Sequence, residues 1–261
     1  MKIKFKRFVI TSCAIGTIIF VLFFDYRNGL TPFPDQLTAT IVAEGDELSS
    51  DEHLLRNDIR LDVPLINQFE PIHYQNACEI AALTMLANYY GYQVDISDLI
   101  ELLAFQPLFI DNDHHGDPRL GFVGNIYKGY GAMGVDVEPI AEVAKQIFSN
   151  KHHVISGREK PFDQLLDVLR SGTPIWIIAT LELQIPTEND FISWYTKAGE
   201  IKVTPLVHSV ILTGIEGETI YVNDPYGYKD RSVSLESLEL IYTKMGEQYL
   251  FVSTNSDSID Q

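Results

Sequence analysis

The chain has 261 residues, 46% of them hydrophobic and 21% charged, with 36 Asp and Glu against 19 Lys and Arg for a formal net charge of −17. That composition excludes collagen-like and disordered chains and fits one globular domain of about 200 residues plus a leader. So acidic a chain is not expected to present a basic face to nucleic acid, and no nucleic-acid partner is expected.

Residues 8–24 carry no charge and follow Lys2, Lys4, Lys6 and Arg7. This is just long enough to span a bilayer as a helix, and the positive-inside rule puts the N-terminus in the cytoplasm. Residues 1–27 are therefore expected to form a cytoplasmic N-terminus and transmembrane signal anchor, giving a single-pass cell-membrane protein whose remaining residues are extracytoplasmic. Secretion after signal cleavage is the rival expectation, although no clear small-residue cleavage site follows Phe24 directly. Ile10-Thr11-Ser12-Cys13 resembles a lipoprotein signal, but most of the apolar stretch follows Cys13 instead of preceding it. Residues 28–60 lose periodicity and carry Glu44, Asp46, Glu47, Asp51 and Glu52, so they are expected to be an acidic flexible spacer. The folded domain is expected over 61–253, with a C-terminal tail at 254–261.

Residues 61–68 look like a short strand whose Pro64 suits a sheet edge or a strand start. In the next segment, apolar residues recur at Cys78, Ala81, Ala82, Met85, Leu86 and Tyr89, the spacing of an amphipathic helix. Asn76 is its expected N-cap, Glu79 the partner in a capping-box-like pair, and Gly91 the left-handed residue beyond its end. Cys78 then lies in the first helical turn, where the helix dipole and unpaired N–H groups favour thiolate. A buried cysteine on a core-facing helix needs no chemistry to explain it. With Cys13 in the apolar segment, however, Cys78 has no disulfide partner, and an unpaired cysteine in an exported domain is a candidate reactive thiol.

A second helix is expected over 96–103, capped by Asp95 or Ser97, followed by an irregular stretch over 106–134 of a length that usually serves a site. His114-His115-Gly116-Asp117 and His152-His153 lack the i, i+4 spacing of a helical metal site, so no metal is expected. Helices over 138–149 and 162–170 precede Gly172-Thr173-Pro174 and a buried strand over 175–179. Residues 184–202 form an insertion with no assignable structure.

Residues 205–224 read as a hairpin with Ile215-Glu216-Gly217 as a three-residue loop. That register puts Leu212 opposite Ile220, Val210 opposite Val222 and His208 opposite Asp224, all on one face. A carboxylate there could orient the imidazole. A nucleophilic thiol at a helix N-terminus, a distant histidine and a later aspartate follow the order of papain-like cysteine hydrolases. For the oxyanion such chemistry needs donors, and the candidates are the Cys78 N–H and the Gln68 side chain.

Several motifs carry a closer likeness: the 61–68 stretch, Asn76-Ala77-Cys78-Glu79, Met85-Leu86-Ala87-Asn88-Tyr89-Tyr90-Gly91, Gly121-Phe122-Val123-Gly124-Asn125, Gly172-Thr173-Pro174, His208-Ser209-Val210 and Asn223-Asp224-Pro225. Over nearly all of 61–253 the chain resembles papain-like bacterial cysteine peptidases related to the double-glycine leader peptidases, especially their stand-alone exported branch. The resemblance implies an α+β papain-like fold, with a Cys-bearing N-terminal helix packed on an antiparallel sheet that carries the His and Asp. It also implies Cys78 as nucleophile, His208 as base, Asp224 as orienting acid, Gln68 as oxyanion residue and no cofactor. Two departures are visible: Ala77 stands where glycine is common, and Gln68 lies farther before Cys78 than the family spacing. No nucleotide-binding domain is seen in these residues, and the expected substrate is a peptide or peptidic cell-envelope component instead of a double-glycine leader. The expected activity is that of a membrane-anchored cysteine peptidase or amide hydrolase. A catalytically silent binding or scaffold domain and an acyl or amide transferase are the alternatives.

Overall fold

The computed structural model describes residues 58–148 and 152–254. The expected anchor at 1–27, the spacer up to residue 57 and the tail beyond residue 254 lie outside the described residues. Among the described residues, no helix is long and apolar enough to cross a membrane.

The first strand, β1 (Ile59–Arg60), comes just before the stretch read as a strand. Residues 61–68 instead cross the end of the hairpin without a ladder. Leu61 N–H donates to Thr213 O (2.7 Å), Gln68 N–H to Pro225 O (2.9 Å), and Val63 O accepts from Asn223 Nδ2 (2.8 Å). Pro64 has no N–H to offer a ladder, so scattered partners satisfy this segment's main chain.

Helix α1 (Cys78–Tyr89) is buried on every side from Cys78 to Ala87, where an amphipathic helix was expected. A helix apolar all round belongs in a core, and its two buried polar residues after Cys78 need internal partners. Thr84 finds one by donating from Oγ1 to Ile80 O (2.9 Å). Gly91 takes the expected positive φ, 85°. Helix α2 (Ile96–Leu102) starts from Asp95, whose N–H donates to Asp98 Oδ2 (2.9 Å), so Asp95 and not Ser97 is the cap.

The long irregular stretch holds only the two-residue parallel pair β2 (Phe105–Gln106) and β3 (Phe122–Val123). Next come α3 (Val137–Ile147), β4 (His152–Gly157), α4 (Phe162–Arg170) and the wholly buried β5 (Ile175–Thr180). The unassigned insertion contains a hairpin, β6 (Ile192–Thr196) with β7 (Gly199–Val203). It packs on the irregular stretch through a small core of Val123, Trp194 and Val203, and Trp194 Nε1 donates to Gly116 O (2.8 Å).

The remaining elements are β8 (Val207–Glu216), β9 (Thr219–Asp224), β10 (Tyr228–Ser234), α5 (Leu235–Lys244) and β11 (Tyr249–Thr254). The main sheet runs β10-β9-β8-β5-β11-β4, antiparallel throughout, and β1 pairs with the far end of β8. Helix α1 lies against β5 and β8, and α3 against β4 and β11. Trp176 on β5 fixes the start of α1 by donating from Nε1 to Glu79 O (3.0 Å). The fold is thus α+β, with the cysteine helix on the antiparallel sheet that carries the histidine and aspartate.

Candidate active site

The β8–β9 hairpin turns through two residues, with Glu216 opposite Thr219, where a three-residue loop was expected. Gly217 has φ 54°, the sign that a type II′ turn requires of its first central residue. Unbroken, this register would put Asp224 on the opposite face from His208. A bulge at Thr213 corrects it: Gly214 pairs with Tyr221 on one side of the irregularity and Leu212 with Val222 on the other. Continuing from Ile211 opposite Asn223, Asp224 falls opposite Val210, so His208 is its diagonal neighbour on the same face instead of its direct partner.

Asp224 still reaches the ring, and His208 Nε2 to Asp224 Oδ1 is 2.7 Å with both side chains 1% exposed. The same Oδ1 accepts Tyr226 N–H (3.0 Å), and Oδ2 accepts from Arg231 Nη1 (2.8 Å). Arg231 is held in turn by Glu182 Oε2 (2.9 Å) and Glu182 O (3.2 Å). Burial pushes the Asp224 carboxyl up, but the His208 hydrogen bond and charge, Tyr226 N–H and Arg231 together hold it below the usual range. The Tyr226 ring stands edge-on to the His208 ring, 4.8 Å between centroids, with Phe69 behind it at 5.0 Å. Burial and then nearby negative charge, that of Cys78 first, push the Tyr226 hydroxyl up to about 12.

With Nε2 donating to the aspartate, Nδ1 is the ring's acceptor, and it is buried without a hydrogen-bond partner. Cys78 does not hydrogen-bond to it. The sulfur is 3.2 Å from Glu79 Oε2, which accepts the S–H. Burial raises the Cys78 thiol well above its usual value, and the Glu79 charge and hydrogen bond add to this. The main-chain N–H groups of Ser209 and Glu79 oppose it. These influences run against the thiolate expected at the helix start.

The capping expectations fail at the same place. Ala77 is the N-cap of α1, and Asn76 instead donates from Nδ2 to Asn125 O (2.8 Å) and Gly129 O (3.1 Å). Gln75 Oε1 accepts Gly129 N–H (3.0 Å), and the N–H groups of Gln75 and Asn76 donate to Tyr127 O and Ile126 O. Residues 125–129 of the long loop are thus sewn to the residues that lead into Cys78. Glu79 turns inward, its Oε1 accepting Val135 N–H (3.1 Å). Fully buried Gln68 donates from Nε2 to Tyr74 O (2.9 Å) and Gln75 O (3.2 Å), closing the turn before the helix, while its Oε1 has no partner.

The histidines set aside as metal ligands have other partners. His114 Nδ1 bonds to Asp111 (2.8 Å), His115 stacks on Trp194 (3.9 Å), and His152 Nδ1 meets Tyr92 Oη (2.8 Å). Among the described residues, no three His, Cys, Asp or Glu side chains converge to hold a metal. Sequence reasoning missed Arg231, Tyr226 and the inward role of Glu79. A charged residue inside a helix that is apolar on every other side was the available signal for Glu79.

The chain is 34% identical over 239 residues to YvpB of Bacillus subtilis strain 168, an uncharacterised protein, covering 91% of this chain and 94% of that one. A Bacillus anthracis crystal structure described as a C39-like peptidase superposes with a TM-score of 0.70 at 29% identity, over 76% of this chain and 98% of its own. Residues 60–250 match the model of the Peptidase_C39 like family, and the chain belongs to that family.

Proposed function

We propose that this chain is a cysteine peptidase or amide hydrolase with Cys78 as nucleophile, His208 as general base and Asp224 as the group that orients it. The observation that carries this reading is the buried His208–Asp224 bond, which fixes the ring with an unpartnered Nδ1 acceptor. In the proposed reaction Nδ1 takes the Cys78 proton, and the thiolate attacks a carbonyl carbon. The C–N bond then breaks as the imidazolium protonates the leaving amine. Water, deprotonated by the same nitrogen, hydrolyses the thioester and restores the thiol. The Cys78 N–H and the Gln68 amide are the proposed oxyanion donors, and Gln68 reaches that role only by exchanging one of its two carbonyl acceptors for the oxyanion.

The substrate class proposed is a peptide or peptidic component of the cell envelope, met outside the cytoplasm by a domain that residues 8–24 anchor in the membrane. Charge supports this placement, through the cations before that segment. A substrate-profile screen of the full chain beside Cys78→Ala tests the activity, and identical product traces from the two proteins would sink it. Adding an amine acceptor separates hydrolysis from acyl transfer. A catalytically silent peptidase-like binding domain is the second reading, favoured by the absence of a Cys78–His208 hydrogen bond.

A further inference from the structure

Glu79 is a buried ionisable side chain beside Cys78 that the proposed chemistry does not use. The residue is 1% exposed, Oε1 is tied to Val135 N–H, and Oε2 takes the thiol hydrogen. The surroundings are built around it. Gly134 sits at φ 67°, and a Cβ there would collide with Glu79 Oε1 and crowd Val207. Trp176 grips the carbonyl of the same residue. His208 Nδ1 is buried with nothing to accept from. The S–H is thus directed at the Glu79 carboxyl, while the acceptor nitrogen of His208 is left unused.

We propose that Glu79 is a positioning residue that keeps the Cys78 thiol protonated and turned away from His208 in the resting protein, so that the nucleophile is armed only when its S–H moves from Glu79 Oε2 to His208 Nδ1. This rests on the assignment of Cys78 and His208 as nucleophile and base. In the arming step the S–H bond breaks and the proton goes to Nδ1, leaving thiolate and imidazolium. The imidazolium charge then favours the Glu79 carboxylate, whose carboxyl burial otherwise raises. The titratable groups around the thiol are Glu79 on α1, which accepts its S–H, and Tyr226 after β9, while His208 on β8 acts on Glu79 and has Asp224 behind it. Residues 134 and 135 present main chain to Glu79, and Glu79 is the charged group in contact with Sγ.

The test is iodoacetamide alkylation of the full chain as a function of pH, read on the Cys78 peptide by mass spectrometry, in the wild type, Glu79→Gln and His208→Ala. Glutamine keeps the size and the Val135 acceptor and removes the charge. A like charge beside a titrating group commonly disfavours its ionisation by at least one pKa unit, so Glu79→Gln should alkylate roughly tenfold or more faster at pH 7. An unchanged or slower Glu79→Gln profile overturns the proposal. A faster Glu79→Gln beside an unchanged His208→Ala supports the hold of Glu79 on the thiol and overturns His208 as the base, so the two readings fail separately. If Glu79→Gln does not fold, the infrared difference between wild type and Cys78→Ser at pH 7 decides. A hydrogen-bonded S–H stretch is expected, and its absence, the mark of a resting thiolate, overturns the proposal.

Discussion

Replacing Arg231 by glutamine removes one of the four hydrogen bonds and charges that support Asp224 without touching the histidine. Arg231 Nη1 lies 2.8 Å from Asp224 Oδ2, and the aspartate side chain is 1% exposed. A hydrogen bond to a charged group is worth about 1.5–3 kcal/mol. Asp224 keeps His208 and Tyr226 N–H, so the variant does not incur the roughly 3–5 kcal/mol of an orphaned buried charge. The other partner of Arg231, Glu182, is 57% exposed, and that pair adds at most a few tenths of a kcal/mol. The expected loss at pH 7 is therefore about 2–3 kcal/mol, or roughly 4–12 °C in Tm for a domain of this size. Because the folded Asp224 is held below the usual carboxylate range, its stabilisation is complete above the unfolded value and disappears as pH falls through the folded one. Urea unfolding at pH 7 and at about pH 2–3, in a double-mutant cycle with Asp224→Asn, isolates this pair. A coupling energy below about 0.5 kcal/mol at pH 7, or one that persists undiminished in acid, would refute the reasoning.

Trp176→Phe deletes the donor to Glu79 O in a fully buried site and should cost about 1–3 kcal/mol, measured by urea unfolding. Gly134→Ala combines a positive φ with a methyl group driven onto Glu79 Oε1. It should lose about 2–4 kcal/mol and, by dislodging the carboxyl, also speed Cys78 alkylation, which pairs a stability readout with a chemical one. Deleting Thr213 removes the bulge that keeps His208 and Asp224 on one face. The deletion variant should lose the pair's hydrogen bond and any hydrolytic activity, and retention of both would show that the register is held elsewhere.

What the amino-acid sequence could reveal about this hairpin was parity and not offset. Alternation in 206–212 and 219–224 marks which side chains share a face. A three-residue loop and a two-residue turn with one bulge preserve that parity equally, so His208 and Asp224 were legible as neighbours while their diagonal pairing was not. Helix α4 was read nearly to the residue from its periodic apolar set and strand β5 from its unbroken apolar run, with a Gly-Thr-Pro break between them. The β6–β7 hairpin escaped, since its few buried residues meet a core supplied by residues near 108, 123 and 133. Strand β10 has no buried residue, so no apolar stripe announced it, and Arg231 went unnoticed with it.

Cys78 itself shows where a local argument loses to a tertiary one. It is the first residue of α1, as the helix-terminus reading required, and a helix terminus favours an adjacent negative charge by about 0.3–1 kcal/mol. Removing an ion from water costs several kcal/mol in a protein interior. Here Cys78 is 7% exposed, and its sulfur has a carboxyl 3.2 Å away whose charge opposes a second negative one. Burial and Glu79 together outweigh the dipole, which is why the thiol is raised and not lowered. Of the two influences that oppose ionisation, burial and Glu79, the contact with Glu79 is the one that the proposed transfer to His208 would release.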